Sequence, residues 1–271
     1  MSDAAPYEAV YARPADGTTS TVARHARTAA RQGYEGLVVR TSEASVPDGV
    51  AGRYGIDLVD AAEVVADDPA SASGAVGRVR QEHTLVLVRG GTATMNRFAV
   101  EQAPVDVLAA PTGDGSGSDL FNHVLARAAA ENGVRVEFDL GPALRRTGGG
   151  RTRAISDLRL LYDLVEQYDA PHVVSARATG HLALRAPREL AAVGDEIGLN
   201  PEFVREGLAE WGRLAERNRD RASDAFVQRG VRRAESGSAG GAGDRERPRD
   251  GGDGDDEGTP SPPDRGREGG G

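Results

Sequence analysis

The sequence contains no cysteine, and all 33 of its basic residues are arginine, so lysine is absent as well. Without cysteine the chain can form no disulfide, no thiolate zinc site and no thiol nucleophile. No uninterrupted apolar run approaches the ~20 residues that a membrane-spanning helix needs. The N-terminal stretch MSDAAPYEAV also lacks the basic and apolar regions of a signal peptide. The sequence therefore predicts a soluble, cytoplasmic protein.

The charge balance is acidic, with 42 Asp and Glu residues against 33 Arg and a net charge of −9. High negative charge maintains solubility in concentrated salt, and together with the missing lysine it favours a halophilic source. A GC-rich genome also favours arginine over lysine, and this alternative stays open for the arginine bias.

Residues 231–271 differ in composition from the rest of the chain. Glycine, arginine and aspartate are abundant there, and Val231 is the only aliphatic side chain larger than alanine. Such a segment has too little apolar surface to offset the entropy that it would lose on folding. The sequence thus predicts one folded domain over residues 1–230 and a disordered acidic tail over 231–271.

Seven short apolar runs are candidate β-strands. They are too short and too continuously apolar for half-exposed antiparallel strands, which favours buried parallel strands. The runs are Tyr7–Ala12, Gly36–Arg40, Asp57–Ala61, Thr84–Val88, Val105–Ala109, Val134–Phe138 and His172–Ser175.

Amphipathic helices are predicted between and after these runs, over Thr18–Gln32, Asp119–Asn132, Ile155–Tyr168, Pro187–Ile197 and Pro201–Asn218. Strands that alternate with helices indicate repeated βα units, in either an open doubly wound sheet or a closed barrel. No glycine fingerprint follows the first strand, which disfavours the dinucleotide-binding sheet. We therefore expect a TIM-like (β/α)8 barrel, with Leu182–Leu184 as its eighth strand.

The five histidines are dispersed, without an H-x-H pair or an H-E-x-x-H motif. His25 and His123 fall within predicted helices, where a partly exposed structural role is expected. His172 and His181 flank the seventh strand, at the end where barrel chemistry occurs, but no carboxylate cluster accompanies them. We expect no metal site in this chain.

Two other features could carry chemistry. Ser175 ends a strand but has no assignable base, and Asp139 ends another without a partner acid, so we expect no catalytic residue. The loop Gly113–Ser118 could cradle a phosphate, but it lacks the lysine of a P-loop and Asp114 would oppose an anion. We interpret it as a connecting βα loop.

Four windows contain no acidic residue: Gly17–Tyr34, His83–Val100, Leu140–Ser156 and Ala170–Arg188. In a barrel, Arg89, the loop Arg145–Arg153 and Arg177 all follow carboxyl ends of strands, so they would converge near one face. Arginine binds phosphates bidentately and stacks on bases, which indicates RNA or a phosphorylated ligand. Pairing of these arginines with acids from other segments is an equally open interpretation.

A series of short motifs runs through residues 84–188. It comprises LVLVRGG at 85–91, NRFA at 96–99, VDVL at 105–108, NHVLA at 122–126, VEFDL at 136–140, VSA at 174–176 and LRAPREL at 184–190. In order and spacing this series resembles the protein component 3 family of archaeal ribonuclease P, relatives of the eukaryotic thirty-kilodalton subunit. One departure is that the family is usually rich in lysine and basic, whereas this chain is acidic.

The resemblance implies a TIM-like barrel related to metal-dependent phosphoesterases of the histidinol-phosphatase type, but without their metal ligands. It also implies a subunit of the ribonucleoprotein that removes the 5′ leader from precursor tRNA. In that complex the RNA subunit and its bound Mg²⁺ perform the hydrolysis. The protein itself would bind no cofactor and would support the RNA beside a Pop-five-type subunit and other ribonuclease P proteins.

The resemblance and the acid-free windows together give a set of expected RNA or partner contacts. The set is Arg89, Asn96, Arg97, His123, Arg145, Arg153, Arg177, Arg185 and Arg188. Two enzymes remain as alternatives. A stand-alone metal-dependent phosphoesterase would need His and Asp clustered at strand ends. A sugar-phosphate-type barrel enzyme would use the loop Arg145–Arg153 as an anion clamp.

Overall fold

The computed structural model describes residues 5–12, 21–40, 46–113, 120–223, 226–228 and 231–232. In this part of the chain seven parallel strands form one sheet, in which each strand pairs with its neighbours in chain order. They are β1 (Tyr7–Tyr11), β2 (Gly36–Arg40), β3 (Asp57–Val64), β4 (Leu85–Arg89), β5 (Val107–Ala109), β6 (Arg135–Asp139) and β7 (His172–Ser175). All seven predicted strands are confirmed, and β3 continues to Val64 rather than ending at Ala61.

Helices follow the strands. They are α1 (Val22–Gln32), α2 (Val50–Tyr54), α3 (Pro69–Glu82), α4 (Ala93–Glu101), α5 (His123–Asn132), α6 (Gly141–Arg145), α7 (Gly148–Tyr168), α8 (Pro187–Ile197) and α9 (Pro201–Ala222). The predicted starts at Thr18 and Asp119 lie outside the described residues. Helix α7 begins at Gly148 rather than Ile155, because a run of three glycines with low helix propensity concealed its first turn. No described helix is long and apolar enough to cross a membrane.

A short antiparallel pair, β8 (Phe226–Gln228) and β9 (Val231–Arg232), follows α9. The compact unit of the chain ends at Arg232, so the first two residues of the predicted tail belong to this pair. Residues 233–271, the rest of that predicted tail, lie outside the described residues.

The sheet curves until β1 and β7 meet, which makes a nearly closed barrel. The seam is bridged at Val10 and Ala178, and the Tyr11 amide donates to the Ala178 carbonyl oxygen at 3.0 Å. The predicted eighth strand is wrong, because His181–Ala183 forms a 3-10 helix outside the sheet. Direct contact between β1 and the segment after β7 leaves no place for another strand.

Two layers of side chains fill the barrel, because alternate residues of each strand point inward. The lower layer is apolar and contains Ala9, Val38, Val59, Ala61, Leu85, Leu87, Val107, Ala109 and Val173. Toward the carboxyl ends of the strands, the polar layer consists of Tyr11, Arg40, Glu63, Arg89, Glu137 and Ser175, all joined by hydrogen bonds or ion pairs. A second apolar core lies between the outer face of the sheet and the surrounding helices.

Helix α9 closes the amino-terminal end of the barrel. Its Trp211 is fully buried among the lower-layer side chains, and the indole Nε1 donates to the Val174 carbonyl oxygen at 2.9 Å. Around the rim, Asn218 of α9 donates to the Thr84 carbonyl oxygen at 3.0 Å. Arg219 of the same helix pairs with Asp57 at 2.8 Å. The barrel is therefore plugged from below, and among the described residues its interior opens at the carboxyl-terminal mouth.

Replacing the plug residue should destabilise the whole barrel. We expect Trp211→Ala to lower the free energy of unfolding by ~3–5 kcal/mol, since it leaves a cavity in a packed interior and removes an indole hydrogen bond. Urea unfolding monitored by circular dichroism measures the change. Trp211→Phe, which keeps most of the volume, should cost clearly less, and equal costs for the two variants would contradict the plug.

Candidate functional site

A cavity of about 530 Å³ occupies the mouth of the barrel, at the carboxyl ends of the strands. Its wall contains Arg89 at the end of β4, Arg145 of α6 and Arg177 after β7. The expected convergence is thus observed for these three arginines, whereas Arg151 and Arg153 of the predicted loop belong to helix α7 and do not line the cavity. The role of the three converging arginines as RNA or partner contacts stays a prediction.

Arg89 is held in the mouth by Glu63 and Tyr11. Its Nε donates to Glu63 Oε1 at 2.8 Å, and its guanidinium also donates to the Tyr11 hydroxyl at 3.2 Å. Burial alone would raise the pKa of Glu63, but Arg40, the Tyr11 hydroxyl and Arg89 outweigh it and lower that pKa. Glu63 is therefore an ionised partner whose charge is neutralised inside the protein.

Arg177 is held in the same way from the other side. It donates to Asp139 Oδ2 at 3.0 Å and to the Tyr11 hydroxyl at 2.8 Å. Its backbone adopts φ of +46°, a left-handed conformation that costs a non-glycine residue on the order of 1 kcal/mol or more. These bonds at the mouth hold the strained residue in place.

Beneath the mouth lies a fully buried ion pair that the sequence analysis did not identify. Arg40 Nη2 is 2.8 Å from Glu137 Oε1, and neither side chain is exposed to solvent. Glu137 also accepts from the Ser175 hydroxyl at 2.7 Å. Burial would lower the pKa of Arg40, but Glu137 and Glu63 outweigh it and raise that pKa, so the guanidinium stays charged.

Glu8 occupies the seam between β1 and β7. Its Oε1 accepts from the Ala176 amide at 2.7 Å, and its Oε2 lies 3.2 Å from the Tyr34 hydroxyl. That hydroxyl also lies 2.7 Å from the Arg185 carbonyl oxygen, so its one hydrogen is shared between two acceptors. Burial outweighs the hydrogen bonds from Ala176 and Tyr34 and raises the pKa of Glu8 to about 8.

Asn96 is fully buried and supports the mouth from outside the barrel. Its Oδ1 accepts from the Gly91 amide at 3.1 Å, and its Nδ2 donates to the carbonyl oxygens of Pro111 and Leu120, both at 2.7 Å. The residue therefore ties the loops after β4 and β5 together, a positioning role that differs from the direct contact expected of it.

The other expected contact residues lie on the outer layer, away from the cavity wall. Arg97, His123, Arg153, Arg185 and Arg188 are all exposed. Arg97 pairs with Glu101 one turn along α4 at 3.0 Å, and the His123 ring lies 6.4 Å from that of Tyr168. The guanidinium of Arg185 donates to the Leu184 carbonyl oxygen at 2.9 Å.

The structure corrects the placement of two histidines. His25 is fully buried in α1 rather than partly exposed, and its Nδ1 lies 3.3 Å from the Thr21 carbonyl oxygen. His172 begins β7 and so lies at the plugged end, where its ring stacks on Phe203 with centroids 3.5 Å apart. Within the described residues, no group of three or more His, Asp or Glu side chains could hold a metal ion.

Of the remaining two candidates of the sequence analysis, Ser175 does not line the cavity. Ser175 is fully buried and donates to Glu137 rather than facing the mouth. Residues 114–119 of the glycine-rich loop lie outside the described residues, and only Gly113 is described at the cavity wall.

The sequence did contain a signal for the buried ion pair between Arg40 and Glu137. Strand β2 ends on a charged residue, Arg40, in an otherwise apolar run.

The fold and its mouth define a class of protein, a TIM-related α/β barrel of seven strands with an internal network of paired charges. Comparison with known proteins identifies the family. The model of the family described as RNase P subunit p30 matches residues 12–223. Ribonuclease P protein component 3 of Halorubrum lacusprofundi is 56% identical over 238 residues, covering 84% of this chain and 97% of that protein. The same component from Haloarcula marismortui is 56% identical over 230 residues.

The solved structures agree with this fold. A chain in the cryo-electron-microscopy structure of archaeal ribonuclease P with mature tRNA superimposes with a TM-score of 0.71 at 18% identity, covering 85% of this chain and 99% of that chain. The chain therefore belongs to the RNase P subunit p30 family, protein subunits of the RNA-catalysed endoribonuclease that processes precursor tRNA.

Breaking the buried ion pair should be costly, whereas removing both charges should not. We expect Arg40→Met to lower the free energy of unfolding by ~3–5 kcal/mol, because Glu137 is left buried without its partner. The double variant Arg40→Met, Glu137→Gln should recover most of that loss, as urea unfolding of both variants would show. A single variant within ~1 kcal/mol of wild type would contradict a charged pair.

Replacing Glu8 should change how stability depends on pH. Because the folded-state pKa lies above the unfolded value of 4.5, the contribution of Glu8 is complete below pH 4.5 and is lost as the pH rises through about 8. Glu8→Gln keeps an acceptor for the Ala176 amide and cannot ionise. Between pH 5 and pH 9 the variant should gain on the order of 4 kcal/mol relative to wild type in chemical denaturation. Parallel pH profiles for the two proteins would show that Glu8 is not buried in its neutral form.

Proposed function

We propose that this subunit supports the catalytic RNA of ribonuclease P and performs no hydrolysis itself. The observation that carries the proposal is the pairing of three carboxylates near the carboxyl ends of the strands with arginine. Glu63 pairs with Arg89, Glu137 with Arg40 and Asp139 with Arg177, at 2.8, 2.8 and 3.0 Å.

A guanidinium is a permanent cation that cannot release its proton in a protein. A divalent metal placed at these carboxylates would have to displace an arginine and leave it next to the metal charge. The ion pairs between these carboxylates and arginines therefore disfavour a stand-alone metal-dependent phosphoesterase. They also disfavour a sugar-phosphate-type enzyme, because Asp139, the strand-end acid of the cavity wall, is held by Arg177. We assign the Mg²⁺ of the reaction to the RNA subunit.

We further propose that the exposed arginines of the outer layer contact RNA or a neighbouring subunit. Their position supports this proposal. Although the chain is acidic overall, Arg153, Arg185 and Arg188 are exposed and lie in windows of the sequence without acidic residues. In molar salt the Debye length is ~3 Å, so long-range attraction is screened and contact geometry decides binding. Bidentate arginine–phosphate bonds and base stacking satisfy that requirement.

The neighbours proposed for this chain are the ribonuclease P RNA, a Pop-five-type subunit and the other proteins of the complex, acting on precursor tRNA in the cytoplasm. The family supports this assignment, because a chain of archaeal ribonuclease P with mature tRNA shares the fold over 99% of its length.

The outer arginines can be tested together without disturbing the barrel. We expect the triple variant Arg153→Ala, Arg185→Ala, Arg188→Ala to fold normally and to lose precursor-tRNA cleavage or RNA affinity in a complex reconstituted at high salt. A charged contact is worth ~1–3 kcal/mol, so the loss should be at least about tenfold. Cleavage rate and RNA binding are measured against protein concentration.

A matched control removes three other exposed arginines, Arg78, Arg127 and Arg205, which gives the same change in net charge. The control should retain assembly and cleavage. Equal activity of the two triple variants would show that the RNA or partner surface lies elsewhere on the barrel.

A further inference from the structure

Among the described residues, the wall of the mouth cavity carries four arginines, Arg89, Arg145, Arg146 and Arg177, and two aspartates, Asp67 and Asp139. Arg89 and Arg177 are neutralised by Glu63 and Asp139, as described above. Arg145 differs, because its guanidinium donates to the Ala176 carbonyl oxygen at 2.7 Å and acts on Asp139, within the described residues, only through space and without an ion pair. Asp139 is already paired with Arg177, so part of the Arg145 charge is left for a ligand.

Arg145 is held in position by the chain around it. Its guanidinium folds across Gly141, where a side chain would collide with it and lie 2.6 Å from the Ala176 carbonyl oxygen. Glycine at this position thus lets the guanidinium lie against the backbone at the cavity wall. An arginine that is already oriented loses little further entropy when it binds an anion.

Another part of the wall is built from backbone. Gly90 and Gly91 connect β4 to α4, and Gly91 has φ of +94° and would place a Cβ only 3.2 Å from the Gly113 Cα. Helix α4 begins directly after them, with Thr92 as its N-cap, and Thr92 lines the cavity together with both glycines. A guanidinium in one wall with a glycine turn and a helix start is an arrangement suited to phosphate.

The cavity is closed at its inner end, because Tyr11, Arg40 and Trp211 fill the barrel beneath it. A closed cavity admits the end of a molecule, whereas a phosphodiester within a strand needs an open groove. Its volume of about 530 Å³ falls in the ~300–1,000 Å³ range of small-ligand sites. We propose that this cavity binds a terminal phosphate group, as carried by a phosphomonoester. Free nucleotides and the 5′ end of an RNA share that chemistry.

The full chain can be titrated with inorganic phosphate and adenosine monophosphate by calorimetry, in the salt that keeps it folded. We expect saturable binding of both and at least about tenfold weaker binding by Arg145→Ala, since a charge-assisted bidentate contact is lost. Arg151→Ala, an exposed arginine of the same acid-free window outside the cavity wall, should bind within about twofold of wild type. Gly141→Ala keeps the arginine but displaces it, so it should also weaken binding, and thermal melts of each variant verify folding.

A short oligoribonucleotide with a 5′ phosphate distinguishes the two sources. Tighter binding than adenosine monophosphate, lost in the 5′-hydroxyl form, assigns the site to an RNA end, and similar affinity assigns it to free phosphomonoesters. No saturation by phosphate or adenosine monophosphate, or an unchanged affinity in a folded Arg145→Ala variant, would overturn the inference. Because the outer-arginine variants are tested by assembly and cleavage, failure of phosphate binding leaves the proposed function standing, and the reverse also holds.

Discussion

The ion pair between Arg40 and Glu137 connects strands β2 and β6 through the interior of the barrel. The Arg40 guanidinium lies 5.5 Å from the Tyr11 ring centre and 5.6 Å from that of Trp211, while Glu137 accepts from Ser175. Trp211 belongs to the helix that plugs the base, and Tyr11 joins Arg89 and Arg177 at the mouth. An unpaired charge at this depth would be very unfavourable, so each member fixes the positions of its partners. The geometry of the mouth therefore depends on the plug at the opposite end.

Local patterns were sufficient to predict most of this fold. Each buried strand is a short apolar run bounded by turn residues, and helices such as Pro187–Ile197 carry their own start and stop signals. One error arose where the outcome depends on distant residues. Leu182–Leu184 is apolar enough for a strand, but contact between Val10 and Ala178 closes the seam first. The helix start at Gly148 was missed for a local reason, because three consecutive glycines have a low helix propensity.

The site was less predictable than the fold, for a related reason. Convergence of Arg89, Arg145 and Arg177 follows from topology alone, since carboxyl ends of parallel strands share one edge. Which arginines are neutralised depends on pairs between distant segments, such as Arg40 with Glu137, and no spacing rule reveals them. Alternation along the strands could have identified the inward carboxylates, but Glu63 lay beyond the predicted end of its strand.

The arginines of this chain fall into two groups, those that neutralise carboxylates inside the barrel and those that are exposed to solvent. In a barrel enzyme, strand-end carboxylates stay available for a metal or for proton transfer. Here Arg40, Arg89 and Arg177 neutralise such carboxylates within the protein, and this pairing converts the mouth into a rigid support. Arg145 lines the mouth cavity and Arg153 lies on the outer layer, and both side chains are exposed to solvent. In concentrated salt only contacts within a few ångströms act on a phosphate. An acidic protein can then bind RNA, because recognition depends on where each arginine is held and little on net charge.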